Sequence, residues 1–214
     1  MAEATRPSRL VVVLGTATEV GKTWVSAHLL ALLRERGLTV AARKPAQSFA
    51  ADDTGPTDAE VLALASGEEP NLVCPPHRWY PLAMAPPMAS DALGRDKFHL
   101  TDLLRDMPPW PEDTAFGLIE AAGGPRSPLA HDGDGLALVE AVRPDHVVLV
   151  ADAGLGTINA VRLCTASLDG IDPVVVLNRY DDGDDLHRRN RAWLKRDGVI
   201  TVTSPETLAD RLTR

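Results

Sequence analysis

Nine consecutive residues, Gly15-Thr16-Ala17-Thr18-Glu19-Val20-Gly21-Lys22-Thr23, combine the side chains that a phosphate-binding loop uses. Small residues let successive backbone N–H groups turn toward phosphate oxygens, and a helix starting at the Gly-Lys-Thr end adds its partial positive charge. Lys22 can reach β- and γ-phosphates, and the Thr23 hydroxyl can ligate magnesium. Five residues separate Gly15 from Gly21 where the common pattern has four, so this loop is one residue longer. Two further segments carry chemistry. In Arg43-Lys44-Pro45, the proline keeps Lys44 extended and so presents a second ammonium. Glu120 precedes Ala121-Ala122-Gly123-Gly124, a turn small enough to let its carboxylate approach a metal or ligand. Asp152, one residue past the apolar run 147–151, competes for that role; the small-residue turn favours Glu120.

These groups need elements to position them. Leu10 to Leu14 is a short unbroken apolar run ended by Gly15, as in a strand buried on both faces. From Val20 to Arg36, apolar Val25, Leu29, Leu32 and Leu33 recur at helical spacing, and Gly37 supplies a stop. Strand-like runs recur at 38–42, 115–119, 146–151 and 173–177, each later one followed by a helical pattern, with further helices at 58–65 and 100–106. This alternation predicts an α/β fold: a single P-loop domain over residues 10–214 with a mostly parallel sheet and helices on both faces, preceded by a flexible N-terminus at 1–9. Ligands then belong at the carboxyl ends of the strands, where Gly15, Lys44, Glu120 and Asp152 all fall. Nine prolines between 70 and 111 interrupt regular structure and mark either a rigid excursion or a substrate-side loop.

Composition narrows the function classes. Thirty acidic against 22 basic side chains leave a charge of -8, which argues against a nucleic-acid partner held by phosphate neutralisation over a broad surface. A small phosphate ligand needs only local positive charge. Cys74 and Cys164 stand far apart, without the spacing of a disulfide framework or a thiolate zinc site. The polar stretch 1–9 and the lack of any apolar run of membrane-spanning length lead us to expect a cytoplasmic protein without a membrane partner.

Four segments together resemble the dethiobiotin synthetase family. GTATEVGKT (15–23) is similar to its GTDTxVGKT, KPAQS (44–48) to KPVxSG, IEAAGGPRSPL (119–129) to VEGAGGxxxPL, and AGLGTIN (153–159) to its LGxINH segment. They follow the family order at comparable spacing across residues 15–159. The resemblance implies an ATP- and magnesium-dependent ligase that closes 7,8-diaminopelargonate and CO2 into a cyclic urea, through a carbamate and its mixed anhydride with phosphate. It implies catalytic roles for Lys22, Lys44 and Thr18, and nucleotide contacts from Thr16, Thr18, Glu19, Val20, Gly21, Lys22 and Thr23. Magnesium would be placed by Thr23, Asp58 and Glu120, and the diamine or its carboxylate would meet Lys44, Ser48, Leu155, Gly156 and Asn159. Asn178 resembles the family's base-reading asparagine, and a homodimer is implied as well.

Several positions depart from the family. Ala17 stands where Asp is common, Phe49 replaces the Gly after KPVxS, Ala121 replaces the Gly after the acid, and Ala160 stands in place of His. Phe49 adds bulk where the family leaves room, so a related ligase acting on another amine or carboxylate is the alternative. A switch ATPase similar to ParA and MinD is a second alternative, although such proteins carry a lysine where this chain has Thr16. The acids at 181–185 lack the glutamate of a calcium loop and suit the start of a helix over 186–196 instead.

Overall fold

β1 (Arg9–Gly15) is buried from Leu10 onward, and its side chains alternate between two cores. Leu10, Val12 and Leu14 face one core, and Val11 and Val13 face the other. The computed structural model describes residues 6–214. The loop after β1 turns into α1 (Lys22–Glu35), whose Val25, Leu29 and Leu33 cover the second face. This helix begins two residues later than the apolar spacing suggests, because Gly21 is its N-cap, with φ of 88°.

The chain continues through β2 (Val40–Arg43), β3 (Gln47–Ser48), α2 (Asp58–Ser66) and α3 (Pro70–Val73). A 3-10 turn at Pro76–Arg78 leads to β4 (Trp79–Tyr80), α4 (Pro86–Ala92) and α5 (Leu100–Asp106). Then come β5 (Phe116–Glu120), the antiparallel pair β6 (Pro128–Ala130) and β7 (Gly133–Asp134), and α6 (Gly135–Val142). β8 (His146–Asp152), α7 (Thr157–Ser167), β9 (Val174–Asn178), α8 (Asp185–Arg196), β10 (Thr201–Val202) and α9 (Pro205–Leu212) complete the order. No helix follows β5 directly, contrary to the sequence expectation; a small hairpin intervenes, and Asp134 then caps α6.

Six strands form one sheet in the order β10-β9-β8-β1-β5-β2, with every pairing parallel. One face packs Tyr80, Phe98, Leu103, Leu138 and Val161; the other packs α1 with Leu62 of α2 and Leu208 and Leu212 of α9. Each fully buried aliphatic side chain contributes roughly 1.5–3 kcal/mol. Register sets Val13 beside Glu120, Arg43 beside Ile119 and Asp152 beside Asn178, so the nominated strand-end residues share one carboxyl edge.

The edge strand β2 is sealed by a buried guanidinium. Arg43 pairs with Glu68 at 2.8 Å, donates to the carbonyls of Pro108 and Pro109, and lies over the Trp110 ring. Glu68 also accepts from the Ala42 N–H at 2.7 Å, covering the open side of β2. The proline-rich stretch is ordered by placing prolines in first turns, Pro70 in α3 and Pro86-Pro87 in α4, where no N–H is needed. Of the expected flexible N-terminus, residues 1–5 lie outside the described residues; Pro7 is buried and Arg9 opens β1, so order begins before residue 10. Among the described residues, no helix is long and apolar enough to cross a membrane.

Candidate active site

The loop from Gly15 to Lys22 is shaped by close approaches. A side chain at Gly124 would meet the Gly15 carbonyl at 2.7 Å, so the small-residue turn after β5 lies against the start of the phosphate loop. Gly21 has φ of 88°, and a Cβ there would meet Asn178 Nδ2 at 2.2 Å. At the first residue of α1, Lys22 extends its Nζ to within 3.5 Å of the Ala17 carbonyl. Thr16 hands its N–H to Val150 O, and Val20 turns its side chain into the core.

Beneath the loop, four segments meet. Lys44 Nζ lies 2.7 Å from Glu120 Oε1 and 2.7 Å from Asp58 Oδ2. Thr23 Oγ1 stands 2.9 Å from both Asp58 Oδ1 and Glu120 Oε1, and Ser26 donates to Glu120 Oε2 at 2.8 Å. Asp58 reaches this point because Thr57 caps α2 with a reciprocal Glu60 bond, which fixes the helix start. Burial alone lowers the Lys44 ammonium, but the charges and hydrogen bonds of Glu120 and Asp58 outweigh it and hold this group above the ordinary lysine range. Burial lowers Lys22 below that range, and Lys44 pushes the same way against the pull of Glu120. Burial raises the Asp58 carboxyl, yet Lys44 and Thr23 bring it below its ordinary value.

These donors fit magnesium. A hydroxyl and two carboxylates are hard oxygen ligands, and the single Thr23 proton satisfies only one of the two carboxylate oxygens beside it at a time. Among the described residues, no group of three His, Cys, Asp or Glu side chains forms a cage by itself. The remaining ligands of such an ion would come from phosphate oxygens and water.

A cleft of about 780 Å3 opens over this cluster, lined by Thr18, Glu19, Gly21, Lys22, Thr23, Lys44, Ser48 and Asp58. Ser48 Oγ donates to Met84 O at 2.6 Å, leaving its lone pairs to accept from an amine N–H. Phe49 lines the same cleft, as do Ala83 to Pro86 of the proline-rich stretch. A second cavity of about 520 Å3 adjoins it, lined by Gly21, Trp24, Asn178, Arg179, Tyr180 and Thr203 to Glu206. Asn178 Nδ2 donates to Val20 O at 2.9 Å, leaving the amide oxygen for a ligand.

Not all nominated residues converge. Leu155, Gly156 and Asn159 are exposed beyond β8 and do not line the cleft of their own chain. Asp152 is absent from the cluster: it accepts from Gly154 N and pairs with Arg179, so Glu120 is the acid beside Thr23. The sequence reading overlooked Trp24, which lines both cavities, and Gln47, a buried cleft residue. Trp24 stands next to Thr23, and the helix register alone would have placed it at the loop.

The AAA domain family matches residues 9–187. The ATP-dependent dethiobiotin synthetase BioD of Haloferax mediterranei is 37% identical over 200 residues, covering 90% of this chain and 82% of its own. The synthetase of the same name from Rhodococcus jostii is 36% identical, covering 74% and 67%. That of Aquifex aeolicus is 31% identical, covering 84% and 80%.

Proposed function

The chain belongs to the dethiobiotin synthetase family and is an ATP-dependent ligase of biotin synthesis, and from that premise we propose that it converts 7,8-diaminopelargonate and CO2 to dethiobiotin with magnesium-ATP. The observation that supports this most directly is the junction of Lys44, Glu120, Asp58 and Thr23 beneath the phosphate loop. One amine of the substrate, bound beside Lys44 and Ser48, takes up CO2 as a carbamate. Lys44 neutralises the carbamate, and Lys22 with the amides of residues 18–21 aligns the γ-phosphoryl for transfer to its oxygen. The second amine then attacks the carbamoyl phosphate carbon, closing the ring and releasing phosphate. Thr23, Asp58 and Glu120 would hold magnesium, which supplies charge neutralisation to the phosphates. Thr18 at the loop rim would contact the transferred group, and the second cavity, with Asn178, would take the base.

We place Leu155, Gly156 and Asn159 in the diamine site of a second copy. Leu155 is 92% exposed and Leu163, on α7, 65%, an apolar surface suited to a homodimer. The test is diamine-dependent phosphate release with product mass, on magnesium-ATP, bicarbonate and 7,8-diaminopelargonate. Phosphate release without diamine dependence would overturn the substrate assignment. Phe49 in the cleft favours one competing reading, a ligase of the same chemistry on a differently shaped amine.

A further inference from the structure

Among the described residues, Glu19 and Arg179 are two of four non-glycine residues with positive φ, at 58° and 57°. Residues other than glycine hold this conformation when their surroundings impose it. A long-range bond joins the two: Arg179 Nη2 donates to Glu19 O at 2.9 Å, across 160 positions of sequence. The next peptide is held the same way, since Asn178 Nδ2 donates to Val20 O at 2.9 Å. Two consecutive side chains at the end of β9 thus take two consecutive carbonyls of the phosphate loop. In a trans peptide the carbonyl and the following N–H point in opposite directions. Fixing those carbonyls on β9 turns the Val20 and Gly21 N–H groups to the other side of the chain, the arrangement by which a nest of amides receives an anion.

Arg179 is an exposed side chain, so something must keep it there. Asp152 Oδ2 pairs with its Nη1 at 3.1 Å, while Asp152 Oδ1 accepts from Gly154 N at 2.8 Å. Asp152 lies beside Asn178 in the sheet register, so the brace is built on paired strands. On the phosphate-loop reading above, on which this rests, we propose that Arg179, braced by Asp152, is a positioning residue for the nucleotide phosphates. It acts through the Glu19 peptide. Its competing role is direct contact with the base or sugar, because Arg179 also lines the second cavity.

Calorimetric titration of the full chain with magnesium-ATP, inorganic tripolyphosphate and adenosine separates the two roles. Arg179→Ala weakens ATP and tripolyphosphate alike by about tenfold, the weight of one hydrogen bond from a charged group, and leaves adenosine unchanged. Arg179→Lys recovers most of the loss. Asp152→Ala shifts the same two ligands less, and the double variant binds no more weakly than Arg179→Ala alone. Unchanged tripolyphosphate affinity in Arg179→Ala, or an equal loss for adenosine, overturns the proposal. If Arg179→Ala does not fold, Asp152→Ala decides it: an unchanged tripolyphosphate affinity there, or an equal loss for adenosine, overturns it. Lys22→Ala tests the underlying reading separately, because retained tripolyphosphate binding there would refute the phosphate loop itself.

Discussion

Lys44→Met measures how strongly the buried cation holds the site together. Lys44 is 2% exposed and Glu120 0%, and their charged atoms are 2.7 Å apart. Removing one member of a buried pair typically costs ~3–5 kcal/mol, because the other charge stays buried without its partner. Glu120 keeps the hydroxyls of Thr23 and Ser26, which places the expectation at the low end, about 3 kcal/mol. The Asp58 side chain is 41% exposed and adds less than about 1 kcal/mol. For a chain of this size, about 3 kcal/mol lowers the melting temperature by roughly 6–12 °C. Glu120→Gln should cost a similar amount, since it leaves Lys44 with only the half-exposed Asp58. The combined Lys44→Met/Glu120→Gln variant removes both charges, so its loss should fall well short of the sum of the two singles. Urea and thermal unfolding at pH 7 in the presence of a chelator, without nucleotide, provide the four stabilities of the cycle. Additive losses in the double variant would refute the coupling. All three variants should lack turnover.

Phe49→Gly tests the wall of the cleft. If the ring packs against the chain of 7,8-diaminopelargonate, its removal raises the diamine KM by about tenfold, the scale of losing part of an apolar side-chain contact, and leaves the ATP KM unchanged. A lower diamine KM would instead favour a differently shaped substrate. Burial pushes the Asp145 carboxyl up, but the Leu10 N–H at 2.7 Å and Arg6 hold it below its ordinary value. Its stabilising effect is therefore present above the unfolded pKa of about 3.9 and is lost as pH falls through the folded value. The melting-temperature gap between wild type and Asp145→Asn should be wide at pH 6 and close toward pH 3; a constant gap would contradict the linkage. Burial pushes the Cys74 thiol up to about 12. In a Cys164→Ala background at pH 8, a disulfide reagent should label Cys74 only as the protein unfolds, and labelling of the native state at the rate of a free thiol would contradict this.

The strands legible in the sequence are those buried on both faces. β1, β8 and β9 are unbroken aliphatic runs, and their observed ends fall within two residues of the expected ones. The two- and three-residue strands β3, β4, β6, β7 and β10 have no internal periodicity, since only a partner brought from elsewhere makes them strands. The same division runs through the site. Lys44 and Glu120 were legible because each sits where a strand ends, and Lys22 and Thr23 because the glycine-bounded loop after β1 leads into α1 at them; a parallel sheet gathers such ends on one edge. The bond from Arg179 to Glu19 and the Arg43–Glu68 pair were not, because side-chain contacts across long stretches of chain leave no spacing to read.

The charge count of -8 takes on a local meaning once these positions are known. Two of only four lysines, Lys22 and Lys44, stand in the cleft, but they face two carboxylates, Asp58 and Glu120, so the cluster beneath the phosphate loop is close to neutral before any ligand arrives, and Glu19 and Asp53 on the cleft wall add no positive charge. A polyphosphate entering alone would therefore bring negative charge that this balance does not absorb, directly above the buried Lys44–Glu120 pair. On this reading the carboxylates that occupy Lys44 are also the reason that a divalent cation must accompany the nucleotide. Nucleotide affinity should then fall far more steeply on magnesium removal in the wild type than in Glu120→Gln, where one of the opposing charges is gone; equal dependence in the two proteins, by titration with and without chelator, would refute it.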